Sequence, residues 1–174
     1  MKQSNAVSPA AGATSAADPG REVIIRRVLN APRELVFQVW TDPVHLSRWW
    51  GPHGYTAPRC EADARPGGLI RIDMRAPDGT VYPMSGVFKE VIPPERLVFT
   101  SGALDENGNA LFENLNIVTL EDVDGKTALT VRARAVTWTP QGLPYLAGME
   151  IGWMQTIERV VAYAESTNSE RTAQ

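Results

Sequence analysis

Few side chains in this sequence are placed where they could do chemistry, and Glu150 is the strongest candidate. It directly follows Met149 and lies three residues before Trp153, at the edge of an apolar stripe. A carboxyl group there could anchor a polar group of a ligand, or act as an acid or base if burial raised its pKa. A solvated carboxylate at the rim of a helix is the more common situation. Glu90 and Glu113 offer the same chemistry in weaker surroundings.

The motifs of nucleophilic, metal-dependent and nucleotide-dependent catalysis are missing from the sequence. His45 and His53 have no metal-ligand spacing to Cys60 or to a pair of carboxylates. We find no H-E-x-x-H, C-x-x-C, Walker-type or G-x-S-x-G pattern. Cys60 is the only cysteine, so it cannot form an internal disulfide, and we expect a half-buried strand residue rather than a nucleophile. We therefore predict no metal and no cofactor, and we expect a binding protein more than an enzyme.

The composition is that of one globular domain. The chain has 174 residues, of which 43% are hydrophobic and 21% charged, and its formal net charge is -3. A negative balance without a basic run argues against nucleic-acid binding. No apolar stretch reaches the length of about 20 residues that a membrane helix needs, and the N-terminus lacks the apolar region of a signal peptide. We predict a cytoplasmic protein without membrane insertion, as a monomer or a homodimer.

The two ends of the chain are polar or rich in small residues. Residues 1–20 contain many Ala, Ser and Gly residues and are predicted to form a flexible tail. Residues 167–174 are polar and are predicted to form a second one. A single domain is expected between them, over residues 21–166.

The start of this domain predicts a strand and two short helices. Val23–Leu29 is rich in β-branched residues and is predicted to be a strand. Pro32 and the pair Asp42-Pro43 are helix-start signals. Trp49 and Trp50 are neighbours on the second helix, where side chains point about 100° apart. We therefore expect at most one of them to face the interior fully, and the other to line a cavity mouth or cover the sheet end.

The middle of the chain predicts consecutive antiparallel strands. Ile70, Ile72 and Met74 alternate with Arg71 and Asp73, which is the period of two of a half-buried strand. Turn signals follow at Pro77-Asp78-Gly79 and at Asp124-Gly125. Such short connections indicate an antiparallel meander rather than parallel strands joined by helices.

The clearest predicted element is a long C-terminal helix after Gly142. Its apolar residues recur every three or four positions and form one stripe over roughly five turns. The members of the stripe are Leu146, Met149, Trp153, Ile157, Val160, Val161 and Ala164. The stripe must be buried, and the predicted sheet is the only large apolar partner for it.

Several short motifs occur in the order and spacing of one protein family. They are Arg48-Trp49-Trp50-Gly51-Pro52, Pro66-Gly67-Gly68, Met74-Arg75-Ala76-Pro77-Asp78-Gly79, Tyr82-Pro83-Met84-Ser85-Gly86, Pro93-Pro94-Glu95-Arg96-Leu97-Val98-Phe99-Thr100 and Gly152-Trp153. Together they resemble the activator of heat-shock protein 90 ATPase homologue family, which belongs to the START and polyketide-cyclase-like superfamily. The resemblance spans residues 21–166.

This resemblance implies a helix-grip fold of the α+β class. One strand and two short helices precede six further strands, and a curved antiparallel sheet of about seven strands grips the long C-terminal helix. A cavity often lies between sheet and helix in this superfamily. Its members bind lipids, polyketides, hormones or hydrophobic antibiotics there, and some catalyse cyclisation or hydrolysis.

The residues predicted to line such a cavity come from the strand faces, the second short helix and the C-terminal helix. They are Trp50, Ile72, Met74, Tyr82, Met84, Phe88, Phe99, Met149, Glu150, Trp153 and Ile157. Each of them could instead be a plain core residue. We predict binding of a small hydrophobic molecule, for transport, sensing or sequestration. The alternatives are a cyclase- or hydrolase-type enzyme acting in the same cavity, and a co-chaperone-like stimulator of the heat-shock protein 90 ATPase with that chaperone as partner.

Overall fold

The computed structural model describes residues 18–174 of the chain. The strands in this part are β1 Val23–Leu29, β2 Thr56–Ala62, β3 Leu69–Arg75, β4 Val81–Ile92, β5 Arg96–Ala103, β6 Phe112–Val123 and β7 Lys126–Trp138. The helices are α1 Arg33–Thr41, α2 Pro43–Trp49, α3 Leu143–Ala147 and α4 Met149–Thr172, with a short 3-10 turn at Pro140–Gly142 before α3. This order confirms the predicted succession of one strand, two helices, six strands and a terminal helical segment.

The seven strands form one curved antiparallel sheet in the order β1-β7-β6-β5-β4-β3-β2. Strands β2 to β7 pair with their sequence neighbours, which confirms the predicted meander. The turn between β6 and β7 has φ values of 53° at Asp124 and 83° at Gly125. Such positive values are those of a two-residue hairpin turn, which favours Asp-Gly because glycine has no Cβ to clash. The sheet therefore folds through local turns that the sequence encodes directly.

Helices α1 and α2 begin at the predicted signals. Pro32 immediately precedes α1. Asp42 caps α2, since its carboxylate accepts a hydrogen bond from the Val44 N–H at 2.8 Å, and Pro43 is the first helical residue. The side chain of Asp42 thus satisfies one of the amide groups that a helix start leaves unpaired.

Trp49 and Trp50 are both buried, which corrects the prediction that only one of them could face the interior. Helix α2 ends at Trp49, and Trp50 has an extended backbone with a ψ of 131°. The rotation of about 100° between successive helical residues therefore does not apply to Trp49 and Trp50. The Trp49 ring packs at 4.7 Å from the Trp40 ring, and its Nε1–H donates to the Val39 carbonyl at 2.9 Å.

The C-terminal helical segment is broken at Gly148, although the spacing of its apolar residues predicts one continuous helix. Helix α3 ends at Ala147. The Gly148 N–H donates to the Tyr145 carbonyl at 3.2 Å, and this hydrogen bond closes a tight turn. The prediction of a single helix after Gly142 is therefore wrong. Glycine is a weak helix former, and the turn at Gly148 ends the first helix. The burial of the stripe is nevertheless confirmed for Trp153, Ile157 and Val160, which share one core with the sheet.

The helix at the C-terminus is longer than predicted. Helix α4 continues through residues 167–172 to Thr172, instead of giving way to a tail after Ser166. The Asn168 side-chain amide donates to the Asn30 carbonyl at 3.1 Å, so polar contacts with the end of β1 hold this last part of the helix. Most of the predicted N-terminal tail, residues 1–17, lies outside the described residues, and its flexibility stays a prediction.

The main core lies between α1, α2, α4 and the concave face of the sheet. Its largest fully buried side chains include Trp40, Trp49, Phe88, Phe99 and Ile157. None of the helices in the described part of the chain combines the length and the apolar character needed to cross a membrane.

Candidate ligand-binding site

A cavity of about 340 Å³ separates the start of α4 from the sheet. Its walls come from the loop after α2, from strands β3 to β6, from α3 and from the first turns of α4. The lining residues are Trp50, Gly51, Pro52, Tyr55, Met74, Tyr82, Met84, Ser101, Gly102, Ala103, Phe112, Asn114, Tyr145, Leu146, Gly148, Met149, Gly152, Trp153 and Thr156. This volume lies at the lower end of the range of about 300–1,000 Å³ that is typical of small-molecule sites.

Four aromatic rings stand in a row along the outer side of the cavity, and we call them the aromatic rim. Tyr55 lies 6.4 Å from Tyr82, Tyr82 lies 6.2 Å from Tyr145, and Tyr145 lies 6.0 Å from Phe112, measured between ring centroids. Tyr145 is exposed and the other three are half-buried. Burial, with smaller contributions from Tyr82 and Asp78, raises the pKa of the Tyr55 hydroxyl. Tyr55 is therefore a neutral hydrogen-bonding group at physiological pH.

The inner wall of the cavity is formed by tryptophans and flexible methionines. Trp50 and Trp153 meet edge to face with ring centroids 6.1 Å apart. Met74, Met84 and Met149 line the neighbouring surfaces. Methionine is unbranched and polarizable, so these side chains can adapt to the outline of a bound molecule.

The cavity lining carries no formal charge within the described part of the chain. None of its residues is an Asp, Glu, Lys, Arg or His. Among its polar residues, Thr156 is satisfied within α4, because its hydroxyl donates to the Gly152 carbonyl at 2.7 Å. A charged ligand would lose its hydration here without meeting an opposite charge, which is strongly unfavourable.

Two buried polar residues, which we call the polar floor, lie opposite each other on neighbouring strands. Ser101 of β5 and Asn114 of β6 are direct partners in the strand register, and they are 6% and 5% exposed. The Oδ1 atom of Asn114 is buried and accepts no hydrogen bond from the described residues. An unpaired buried acceptor costs about 1–3 kcal/mol, and the Oδ1 atom of Asn116 on the same strand is also buried without a partner among the described residues.

A guanidinium group on α4 holds the loop that closes one end of the cavity. The Nη1 atom of Arg159 donates to the carbonyls of Trp50, Gly51 and Pro52 at 3.2, 2.9 and 3.2 Å. Burial lowers the pKa of Arg159, but an arginine remains charged at neutral pH. The positive charge meets carbonyls at the C-terminal end of α2, where the helix dipole favours a cation. Trp50 and its loop are thereby fixed to α4.

Removing this guanidinium should destabilise the protein and loosen the cavity. We expect Arg159→Met to lower the free energy of unfolding by about 1.5–3 kcal/mol, the range for hydrogen bonds to charged groups. Urea unfolding followed by tryptophan fluorescence measures the change. Arg134→Met is the matched control, because Arg134 is exposed on β7 and should change stability by less than about 0.5 kcal/mol. Equal unfolding midpoints for the two variants would show that Arg159 does not hold the loop.

The structure divides the predicted site residues into three groups. Those that line the cavity are Trp50, Met74, Tyr82, Met84, Met149 and Trp153. Those that lie in the closed core, at 0–1% exposure, are Ile72, Phe88, Phe99 and Ile157. Glu150 belongs to neither group, since its carboxylate is half exposed and lies 3.7 Å from the guanidinium of Arg21. The carboxyl group proposed as an acid or base thus lies outside the cavity.

Sequence reasoning missed the polar floor and most of the aromatic rim. Tyr55 and Tyr145 lie in a loop and a short helix, where no periodic pattern marks a face. Ser101 lies in β5, where every residue from Leu97 to Ala103 is buried, so alternation could not identify its direction. The pair Asn114 and Asn116, two residues apart in a strand, was the one available signal for inward-facing polar side chains.

Cys60 is a half-buried residue of β2, as predicted. Burial raises the pKa of its thiol to about 11, with smaller contributions from Asp42 and Glu61. The thiolate, which is the nucleophilic form, is therefore scarce at physiological pH.

Comparison with known proteins identifies the family. The model of the Activator of Hsp90 ATPase homolog 1-like proteins matches residues 30–165. The chain belongs to this family. The Hsp90 ATPase activator-like match confirms the resemblance drawn from the motifs, together with the helix-grip architecture that it implied. Proteins of this fold family commonly bind ligands.

Solved structures of bacterial proteins share the fold of this Hsp90 ATPase activator-like chain. A protein from Arthrobacter aurescens is 28% identical with a TM-score of 0.75, and the match covers 84% of this chain and 87% of that one. A protein from Nitrosomonas europaea is also 28% identical with a TM-score of 0.70, covering 87% and 99%. A protein from Chromobacterium violaceum is 26% identical with a TM-score of 0.67, covering 83% and 96%. No curated protein sequence matches the chain.

Proposed function

We propose that this protein binds a small, neutral and mostly apolar molecule in the cavity between the sheet and α4. The observation that carries the proposal is a cavity of about 340 Å³ lined by aromatic rings and methionines, in which no lining residue bears a formal charge. Water in such a space finds few hydrogen-bond partners, so its replacement by apolar surface is favourable.

The shape of the walls supports a ligand with a flat ring. Trp50, Trp153 and the aromatic rim present ring faces and edges from several sides. Aromatic rings pack well against one another at centroid distances of about 4.5–7 Å, in offset or edge-to-face geometry. An aromatic ligand would extend this packing into the cavity.

An enzymatic function has less support, because its candidate groups lie elsewhere. Glu150 is half exposed beside Arg21, and Glu90 is paired with Arg96 at 2.8 Å on the surface. Within residues 18–174, no group of three or more His, Cys, Asp or Glu side chains could hold a metal ion. The titratable groups in the cavity lining are tyrosines. Binding without turnover is therefore the function that we favour.

A chaperone partner is the third candidate, and it would require a sizeable exposed apolar surface. The most exposed large apolar side chains of the described residues are Val28, Val44, Leu69 and Ile151, at 58–67% exposure. They lie on β1, α2, β3 and α4 respectively. Four more exposed apolar side chains, Trp138, Leu143, Tyr145 and Met154, fall in the same stretch of chain as Ile151. That stretch also contributes Tyr145 and Met149 to the cavity lining, so we favour cavity binding as its role.

A neutral dye and its charged analogue test the proposal directly. We expect N-phenyl-1-naphthylamine to bind saturably, one molecule per chain, with a Kd on the order of 1–100 μM. Dye fluorescence should rise while the emission of Trp50 and Trp153, which line the cavity, is quenched by energy transfer. The analogue 1-anilinonaphthalene-8-sulfonate has the same rings and one sulfonate. It should bind at least about tenfold more weakly, since its charge would be buried unpaired.

Two further results bear on the same proposal. Glu150→Gln should leave the dye affinity unchanged, because this side chain lies outside the cavity. Native mass spectrometry of freshly purified protein should reveal a co-purified neutral molecule. If the neutral dye does not saturate, or if the sulfonate binds equally well, the proposed function is wrong.

A further inference from the structure

The cavity has a closed inner end and an open outer end, which differ in the exposure of their lining residues. Met84, Trp50 and Trp153 are only 5–8% exposed, and the two tryptophan rings meet edge to face at the inner wall. Tyr145 is 40% exposed, and the other rings of the aromatic rim are half-buried. A molecule bound in this cavity therefore has one end surrounded by protein and one end close to water.

The inner end of the cavity offers little to a polar group of a ligand. The Thr156 hydroxyl donates within α4, and the Asn114 Oδ1 atom is buried and is not accessible from the cavity. The Ser101 Oγ already accepts a hydrogen bond from the Asn116 Nδ2 at 2.8 Å. The other side chains of the inner end are apolar, apart from the indole N–H groups of the two tryptophans. A polar group inserted there would lose its hydration with little in return.

The outer end of the cavity carries three phenol hydroxyls that are free to bond a ligand. Of the four tyrosines in the chain, only Tyr163 has a hydroxyl that is hydrogen-bonded within the described residues, to the His45 Nδ1 at 2.7 Å. Tyr163 lies outside the cavity, whereas Tyr55, Tyr82 and Tyr145 line it. The ring centroids of Tyr55 and Tyr82 are 6.4 Å apart, and their hydroxyls interact electrostatically, since Tyr82 contributes to the raised pKa of Tyr55. These hydroxyls can exchange hydrogen bonds to water for hydrogen bonds to a ligand.

This difference between the two ends determines the class and the orientation of the ligand, in an inference that rests on the proposed function. We infer that the ligand is an uncharged amphipathic molecule that inserts an apolar ring system toward Trp50 and Trp153 and keeps its polar group at the aromatic rim. The polar group carries an acceptor oxygen, such as that of a ketone or an ester, because a neutral phenol has a proton to donate. This oxygen accepts a hydrogen bond from the hydroxyl of Tyr55 or Tyr82. A substituent attached beyond the polar group extends into water.

Three esters of one ring system test the orientation on the intact chain. Methyl 2-naphthoate is the reference, and the second ester carries a triethylene glycol chain in place of the methyl group. We expect the Kd values of these two to agree within about threefold, because the chain stays in water beyond the rim. In the third probe, the same chain is attached to carbon 6 of methyl 2-naphthoate, at the end of the ring away from the ester. It should bind at least about tenfold more weakly, because the chain would have to be buried in a cavity of about 340 Å³ with its ether oxygens unpaired. Isothermal titration calorimetry and competition with N-phenyl-1-naphthylamine measure the three affinities.

Removal of single hydroxyl groups assigns the hydrogen bond to the aromatic rim. 2-Acetylnaphthalene and 2-isopropenylnaphthalene differ only in the carbonyl oxygen, which a CH₂ group replaces in the second compound. We expect the double variant Tyr55→Phe/Tyr82→Phe, which keeps both rings, to weaken binding of the ketone relative to the alkene by about two- to tenfold, the effect of one net hydrogen bond. Tyr163→Phe is the matched control outside the cavity and should leave this ratio unchanged. Ser101→Ala, which removes a hydroxyl from the inner end, should leave it unchanged as well.

The outcomes separate this inference from the proposed function. If the long ester loses its affinity, or if the chain is tolerated equally at both ends of the ring, the orientation is wrong, while saturable binding of the dye still supports an apolar binding cavity. A ketone-to-alkene ratio that does not respond to the loss of the two rim hydroxyls would overturn the assigned hydrogen bond. A ratio that responds to Ser101→Ala instead would place the acceptor oxygen at the inner end and overturn it as well. The absence of saturable binding by the dye and by all the naphthalene probes would reject both proposals.

Discussion

Replacing Gly152 by leucine is expected to abolish ligand binding while it raises the thermal stability of the protein. Gly152 lies in the first turns of α4 and lines the cavity. A Cβ atom added there would meet only the Pro52 Cγ, at an ordinary contact distance of 3.9 Å. A Cβ atom therefore fits at this position, and a leucine side chain built on it would occupy space that the ligand needs. Dye affinity should fall at least about 100-fold, which corresponds to about 2.8 kcal/mol of lost binding free energy.

The gain in stability has a separate physical origin. Glycine inside a helix is about 0.5–1 kcal/mol less favourable than alanine, and leucine is also a strong helix former. Gly152→Ala is the matched control, because it strengthens the helix in the same way but adds only one small group to the cavity wall. Gly152→Ala should keep the dye affinity within about threefold of that of the unsubstituted protein, since the added methyl group removes little of the cavity volume.

A second cavity-filling variant approaches the space from the sheet. Ala103 of β5 lines the cavity and is 8% exposed, so Ala103→Leu should also weaken dye binding. Differential scanning fluorimetry without ligand and dye titration together separate stability from binding. If Gly152→Leu and Ala103→Leu both fold and both bind the dye normally, the ligand site is not this cavity.

Truncating Ile157 to alanine is expected to cost about 2–5 kcal/mol of unfolding free energy. Ile157 is 0% exposed and packs in the core between α4 and the sheet. The substitution loses buried apolar surface and leaves a space that the surrounding side chains fill only in part. The free energy is measured by urea unfolding monitored with circular dichroism.

The same substitution at an exposed position of the same helix is the control. Ile151 also lies on α4 but is 65% exposed. Ile151→Ala should change stability by less than about 0.5 kcal/mol, because it affects neither the core nor a cap. Similar losses for both variants would mean that α4 does not bury the face on which the fold depends.

The local features of the structure could be predicted because they depend on residues that are close together in the sequence. The stripe that includes Trp153, Ile157 and Val160 depends only on the helical repeat, and it is buried as predicted. The turn at Asp124-Gly125 depends on two residues and a positive φ. The break at Gly148 escaped prediction, because a single glycine leaves the spacing of apolar residues on either side almost unchanged.

The boundary between core and cavity could not be predicted from the same patterns. Ile72 and Met74 lie on one face of β3, yet Ile72 is in the closed core and Met74 lines the cavity. Their hydrophobic character is similar. The difference depends on where α4 crosses the sheet and where α3 and the loop after α2 leave space, which are properties of distant parts of the chain.

The sequence by itself determined the family, the order of the strands and helices, and the apolar face of α4. Those features follow from short-range periodicity, turn chemistry and motif order. Only the tertiary structure decided that Ser101 lies opposite Asn114, that Glu150 faces Arg21 at the surface, and that Arg159 holds the loop after α2. These contacts join residues on different strands and helices, so they are created by strand register and helix packing rather than by any local pattern.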